Sequence, residues 1–131
     1  MISDSIVLDL ALGPTVLPVL ERTAAAIGSQ ADIDLDRLGD LDVVVSTLSQ
    51  SAHRFSVDGR LRFALQPEPR TVVVRVGPLK VGGAEGLRTA SIVPGVGPIL
   101  EQLTDGVRTD TGPDGEYLTV IISSNGRDPA S

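Results

Sequence analysis

The 131-residue chain contains no cysteine, no tryptophan and a single histidine, His53. Without cysteine there is no disulfide, no thiol nucleophile and no thiolate metal site, and a lone histidine gives transition-metal binding almost no support. We therefore predict no metal site, and we expect His53 to be a surface or half-buried side chain rather than a ligand or a base. The absence of cysteine also fits a cytoplasmic protein.

Aromatic residues are nearly as scarce, at 2% of the chain, although 41% of the residues are apolar. Leucine, isoleucine, valine and alanine must therefore fill the interior. The length is that of one domain with one core. We predict a single domain over residues 1–124 and a disordered tail over residues 125–131.

The chain also has no excess of positive charge, since its net charge is −6. An acidic chain has no basic face to collect phosphates, which argues against nucleic-acid and anionic-membrane partners. No apolar run approaches the ~18 residues of a membrane span, and the N-terminus lacks the basic start of a signal peptide. We therefore predict a soluble, cytoplasmic protein.

The strongest periodic pattern lies between Asp34 and Phe55. Apolar residues recur there at steps of three and four, which predicts one side of a long central helix: Leu38, Leu41, Val44, Val45, Leu48, Ala52 and Phe55. Asp34 is a good N-cap, although Gly39 weakens the first turns and favours a start nearer Asp40. Thr47 and Ser51 lie one turn apart on the flank of this stripe.

Weaker patterns predict the other elements. Residues 3–11 alternate as an edge strand, and a helix capped by Thr15 should run to about Ile27, with Gly28 as its stop. Its buried stripe should be Val16, Leu20, Ala24 and Ile27.

The second half of the chain reads as strands, a loop and one more helix. The predicted elements are strands Arg60–Gln66 and Thr71–Val76 joined by residues 67–70, a functional or mobile loop over residues 77–95, a helix from Gly95 to about Asp105, and strands Val107–Thr111 and Glu116–Ser123 around a turn at residues 112–115. Strands in hairpins with helices between them favour an α+β two-layer sandwich. We expect a mostly antiparallel mixed sheet with three helices on one face.

The run Asp32-x-Asp34-x-Asp36 has the spacing of a calcium loop. However, Arg37 stands where the sharp turn needs glycine, and Val43 stands where the bidentate glutamate belongs. We therefore interpret the aspartates as a solvated helix start, favoured by the helix dipole.

Three segments together resemble the GHKL (Bergerat-fold) ATPase superfamily, and more narrowly its anti-sigma factor and serine-kinase (RsbW-like) branch. They are Val44-Val-Val-Ser-Thr-Leu-Ser-Gln-Ser-Ala52, Gly95-Val-Gly-Pro-Ile-Leu-Glu-Gln-Leu-Thr-Asp-Gly-Val107 and Gly115-Glu-Tyr-Leu-Thr-Val-Ile-Ile122. The resemblance covers about residues 5–123. It implies a Bergerat, histidine-kinase-ATPase-like fold and a nucleotide pocket beside the central helix.

The resemblance also assigns roles to positions. The family's general-base glutamate falls on Thr47, and its magnesium-binding asparagine falls on Ser51. The adenine-binding aspartate falls near Val76 or Gly77, where no carboxylate is present.

The remaining family positions carry less information. The family's phosphate-binding, glycine-led helix falls on Gly95 and Gly97, where Pro98 removes one N–H donor. The histidine that often follows the family's asparagine falls on Phe55, so His53 is not its counterpart.

These replacements predict a lapsed active site. Phosphoryl transfer needs a base and a metal that bridges the phosphates, whereas threonine is not a base near neutral pH and serine is a poor substitute for a carboxamide ligand. The vestigial pocket would comprise Thr47, Ser51, Val76, Gly77, Gly95 and Gly97. We expect no cofactor, with ATP and magnesium only if the pocket still works. Thr47 and Ser51 are equally well explained as small polar residues beside a core stripe.

Three functions stay open at this point. The resemblance favours an anti-sigma-like regulator that binds a sigma factor, a STAS-domain anti-anti-sigma protein or both, and that forms a homodimer through sheet edges or first helices. The alternatives are an active serine/threonine kinase that phosphorylates an anti-anti-sigma factor, and an unrelated α+β binding module.

Overall fold

A computed structural model of the protein describes residues 6–11 and 16–124. Its elements are β1 (Ile6–Ala11), α1 (Val16–Gln30), α2 (Leu35–Ala52), β2 (Arg60–Glu68), β3 (Thr71–Leu79), α3 (Gly83–Ala90), β4 (Ile92–Val93), β5 (Gly97–Pro98), α4 (Ile99–Leu103), β6 (Gly106–Gly112) and β7 (Gly115–Ser123). A 3-10 turn, His53–Phe55, continues α2. The predicted cap Thr15 and tail 125–131 lie outside the described residues.

Five strands form one sheet in the order β1-β2-β3-β7-β6, with β1 at an edge as expected. Each of its four pairings is antiparallel, so the sheet is not mixed in the part of the chain that the structure describes. β4 and β5 pair separately as a small hairpin. The prediction of an α+β protein with a mainly antiparallel sheet is confirmed, but four helices accompany the sheet instead of three.

The helices cover one face of this sheet, which we call the inner face. Alternate residues of each strand point towards the helices, as the pleat requires. The buried core contains Phe63, Leu65, Val74, Val76, Leu118, Val120 and Ile122 from the sheet, and Leu20, Ile27, Leu41, Val44, Leu48, Leu87 and Leu100 from the helices. The opposite face, the outer face, has no helix on it among the described residues.

The first helix differs from its prediction at its end. Leu20, Ala24 and Ile27 are buried as expected, but α1 continues through Gly28 to Gln30. A Cβ atom on Gly28 would lie 2.3 Å from Leu38 Cδ2 of α2. Gly28 is therefore a contact point between two helices, and not the stop that we expected.

The central helix α2 agrees closely with its pattern. The Asp34 side chain accepts a hydrogen bond of 2.9 Å from the Arg37 backbone N–H, and the helix begins at Leu35. The alternative start near Asp40 is therefore wrong, and Gly39 lies within the helix. The role of Asp34 as the cap of α2 agrees with our interpretation of the aspartates as a helix start. Residues 6–11 and 16–124 contain no cluster of acidic or histidine side chains that could hold a metal ion.

The predicted loop 77–95 is mostly ordered secondary structure. β3 extends to Leu79, and α3 follows at Gly83 with Ala84 and Leu87 buried. A Cβ atom on Gly86 would lie 2.6 Å from Phe55 Cε1. The glycines that suggested a loop therefore allow a helix to pack closely against the end of α2.

No helix in the described part of the chain, residues 16–124, is both long enough and apolar enough to cross a membrane.

Candidate functional site

Thr47 and Ser51 lie one turn apart on α2, and both are half-buried. They share a flank of the helix with Arg37 and Asp40. Arg37 donates to the Leu103 carbonyl oxygen at 3.1 Å, which shows that this flank faces α4. The two hydroxyl side chains therefore lie on the side of α2 towards α3 and α4, both of which contact α2.

Val76 and Gly77 lie inside β3 and not at the end of a strand. The Val76 side chain is completely buried on the inner face, in register with Phe63 and Leu118. A Cβ atom on Gly77 would lie 2.4 Å from the Tyr117 ring and 2.7 Å from the Glu116 carbonyl oxygen. The Val76 side chain is hydrocarbon, and close packing leaves no room for a side chain at Gly77. Neither residue therefore has a side-chain hydrogen-bond acceptor.

Gly95 and Gly97 belong to the β4–β5 hairpin, so the predicted helix start at Gly95 is wrong. Their φ angles are 80° and 109°, which glycine adopts without strain. The Gln102 side chain donates to the Val96 carbonyl oxygen at 2.9 Å and closes the hairpin. Helix α4 begins only at Ile99 and has five residues.

An acidic side chain from β7 accepts hydrogen bonds from the N-terminus of α3. The Gly82 and Ala84 backbone N–H groups donate to the two carboxylate oxygens of Glu116 at 2.9 Å and 3.1 Å. These hydrogen bonds stabilise the ionised carboxylate and lower the pKa of Glu116 below its ordinary value. The sequence did not indicate this contact, because residues 82–84 were predicted to be loop.

Arg37 connects three parts of the fold. Its guanidinium group lies 2.8 Å from a carboxylate oxygen of Asp40 and 2.8 Å from one of Asp105, and its Nε donates to the Ser123 carbonyl oxygen at 3.2 Å. The side chain is nearly buried. This network ties α2 to the end of α4 and to the end of β7, and the sequence pattern gave no sign of it.

A second polar group lies on the outer face of the sheet. The Arg75 guanidinium carbon lies 3.8 Å from the centre of the Tyr117 ring, and Arg75 pairs with Asp110 at 3.0 Å. Arg62 forms an ion pair with Asp114 and donates to the Tyr117 hydroxyl at 3.3 Å. The Tyr117 hydroxyl in turn donates to Asp114 at 2.8 Å, and this bond lowers the pKa of Asp114. Burial raises the pKa of Tyr117.

Comparison of the chain with models of known protein families and with curated proteins found no match.

Proposed function

We propose that the protein is a non-catalytic regulator of the anti-sigma type, which binds a sigma factor, a STAS-domain anti-anti-sigma protein or both. The observation that carries the proposal is the set of side chains at the three positions where the resemblance expects catalytic groups. Thr47 and Ser51 supply only hydroxyl groups, and Val76 supplies a buried hydrocarbon surface. These residues do not fit magnesium and a nucleotide, because they include neither a base nor a carboxylate or carboxamide ligand.

The order of elements supports the same proposal. Two helices follow the first strand, a hairpin follows them, and a second hairpin closes the sheet after a short helical region. Apart from α3, β4 and β5, this is the order that the sequence predicted, and that order resembles the anti-sigma branch. The helices lie on one face of an antiparallel sheet, which is compatible with the fold that the resemblance implies.

The surface after β3 provides a third line of support. Val81 is 97% exposed, and Ile92 and Val96 at the β4–β5 hairpin are 50% and 53% exposed. Single exposed valines are ordinary, but Ile92 and Val96 are two large apolar side chains exposed on one short hairpin, which is a feature of protein-binding surfaces. The resemblance implies partner contacts on the first helix and on the loop predicted over residues 77–95, which contains Val81 and Ile92.

The proposal is tested by calorimetric titration with purified sigma factors and STAS-domain proteins from the same genome. We expect binding to at least one of them. The double variant Ile92→Ser, Val96→Ser should weaken that binding by about tenfold or more, since buried apolar anchors dominate interfaces. Val43→Ser is the matched control, because Val43 is similarly exposed but lies on α2.

Two outcomes would contradict the proposal. Failure of every protein of both classes to bind would remove the anti-sigma interpretation and leave an unrelated α+β module. Transfer of the γ-phosphate of ATP to a bound STAS protein would instead identify an active kinase.

A further inference from the structure

A cavity of about 370 Å³ opens on the outer face of the sheet, between β1, β2, β3 and the β6–β7 turn. Its volume falls within the range of about 300–1,000 Å³ that is usual for small-molecule sites. The helices, with Thr47 and Ser51, lie on the inner face. The cavity is therefore separate from the site that the family resemblance indicates, and the inference drawn from it does not rest on the proposed function.

Two arginines line the cavity. Arg62 on β2 and Arg75 on β3 are diagonal neighbours on the same face, because Arg62 is in register with Gly77 and Arg75 with Ala64. Among the described residues, the ion pairs and hydrogen bonds of both guanidinium groups run through Nη2. The Nε and Nη1 atoms of both side chains also carry N–H donors.

The rest of the lining is largely apolar. Val7, Ala64 and Pro113 form walls, and the ring of Tyr117 adds a flat surface next to Arg75. Among the described lining residues the acidic one is Asp114, which forms an ion pair with Arg62, while Asp110 on β6 forms an ion pair with Arg75. Each arginine therefore has one aspartate partner, and a bound molecule would hydrogen-bond to the remaining N–H groups of the two guanidinium groups.

We propose that this cavity binds a small organic carboxylate. The carboxylate group would accept hydrogen bonds from Arg62 and Arg75, and the apolar part of the molecule would lie against Val7, Ala64 and Pro113. A guanidinium group matches a planar carboxylate in shape.

The chain offers a built-in reporter for this site. Tyr117 is the only tyrosine and there is no tryptophan, so tyrosine fluorescence reports the cavity alone. Three probes separate the contributions of charge and apolar body: hexanoate has both, acetate lacks the apolar body, and hexanamide lacks the charge. We expect hexanoate to change the fluorescence saturably, with half-saturation at about 1 mM or below, and the other two to need at least about tenfold more.

Substitutions test which residues are responsible. Arg62→Gln and Arg75→Gln should each weaken hexanoate binding by about tenfold or more, whereas Arg62→Lys should lose less because it retains the charge. Arg108→Gln is the control, because Arg108 is exposed on the same face but is not part of the lining, and it should change binding by less than about twofold. Calorimetry replaces fluorescence for the variants of Arg62 and Arg75, since both side chains contact Tyr117 directly.

The proposal fails if hexanoate produces no saturable change in the wild-type protein. It also fails if acetate or hexanamide binds as well as hexanoate, which would indicate a simple ion or a nonspecific apolar contact. Unaltered hexanoate affinity in folded Arg62→Gln, with folding checked by circular dichroism, would overturn it as well.

Discussion

Arg37 is a nearly buried cation whose partners come from distant parts of the chain. Asp40 lies on its own helix, whereas Asp105 and the Ser123 carbonyl oxygen belong to the end of the fold. Removal of the guanidinium group would leave the partly buried Asp105 carboxylate without its cation. We expect Arg37→Met to lower the free energy of unfolding by about 2–3 kcal/mol, somewhat less than for a completely buried pair.

Urea denaturation measures this effect. Arg22→Met is the control, since Arg22 is exposed on α1, and it should change the free energy of unfolding by less than about 0.5 kcal/mol. Equal midpoints for Arg37→Met and the wild-type protein would mean that the network contributes nothing to stability.

Glu116 makes the stability of the protein depend on pH. Its carboxylate accepts hydrogen bonds from Gly82 and Ala84, which lowers its pKa in the folded protein. The folded protein therefore binds this proton more weakly than the unfolded chain does. The contribution is present in full above about pH 4.3, the ordinary pKa of glutamate, and is lost as the pH falls through the lower folded pKa.

The variant Glu116→Gln should consequently be less stable than the wild-type protein near neutral pH. The difference between their urea midpoints should shrink as the pH falls below the ordinary pKa of glutamate, about 4.3, and through the lower folded pKa of Glu116. Glu85→Gln is the control, because Glu85 is exposed and makes only a long contact of 3.9 Å with Arg88. A difference that stays constant from neutral to acid pH would show that the charge of Glu116 has no role.

At the scale of elements, the sequence predicted what depends on local periodicity. Helix α2 and its cap Asp34 were predicted well because a stripe at steps of three and four needs no knowledge of the partner surface. Helix α3 was missed because Gly83 and Gly86 lower helix propensity. Those glycines are compatible with a helix here because Phe55 packs against them, which is a tertiary contact.

The glycines Gly28 and Gly39 provide a matched pair of helix positions. A Cβ atom on Gly39 of α2 would meet nothing within 4 Å, whereas one on Gly28 of α1 would lie 2.3 Å from Leu38 Cδ2. We expect Gly39→Ala to raise the free energy of unfolding by about 0.5–1 kcal/mol, because alanine has the higher helix propensity. Gly28→Ala should lie at least about 1 kcal/mol below Gly39→Ala, since Leu38 must move.

Thermal and urea denaturation of both variants measure the difference. If Gly28→Ala stabilised the protein as much as Gly39→Ala, the two helices would not be in close contact at Gly28. The Leu38→Ala background provides an internal check. Removal of the Leu38 side chain should also remove the difference between the two glycine substitutions.

At the scale of the whole molecule, the two polar sites differed in how far the sequence could predict them. Thr47 and Ser51 could be placed together from the period of one helix. The outer-face group of Arg62, Arg75 and Tyr117 could not, because it depends on the register of β2 with β3 and on the pairing of β3 with β7, which begins only at Gly115. Strand register is fixed by the packed core, and a shift of one residue would send these side chains to the inner face.

The proposed function predicts that nucleotide does not change the thermal stability of the protein. A ligand that binds only the folded state raises its stability by RT ln(1 + [L]/Kd), so about 5 mM ATP with a Kd of about 0.1 mM would add about 2 kcal/mol and several degrees to the Tm. With Thr47, Ser51 and Val76 in place of the family's polar groups, we expect a shift of less than about 1 °C. Magnesium tripolyphosphate controls for ionic effects.

A missing nucleotide site also has a consequence for the partner complex. Because the effects of two ligands on one another are reciprocal, a nucleotide that does not bind cannot change the affinity for a sigma factor or a STAS protein. The partner Kd should therefore agree within about twofold with and without about 5 mM magnesium-ATP. A larger change, or a rise in Tm with magnesium-ATP that magnesium tripolyphosphate does not reproduce, would mean that the flank of α2 still binds nucleotide through groups other than Thr47 and Ser51.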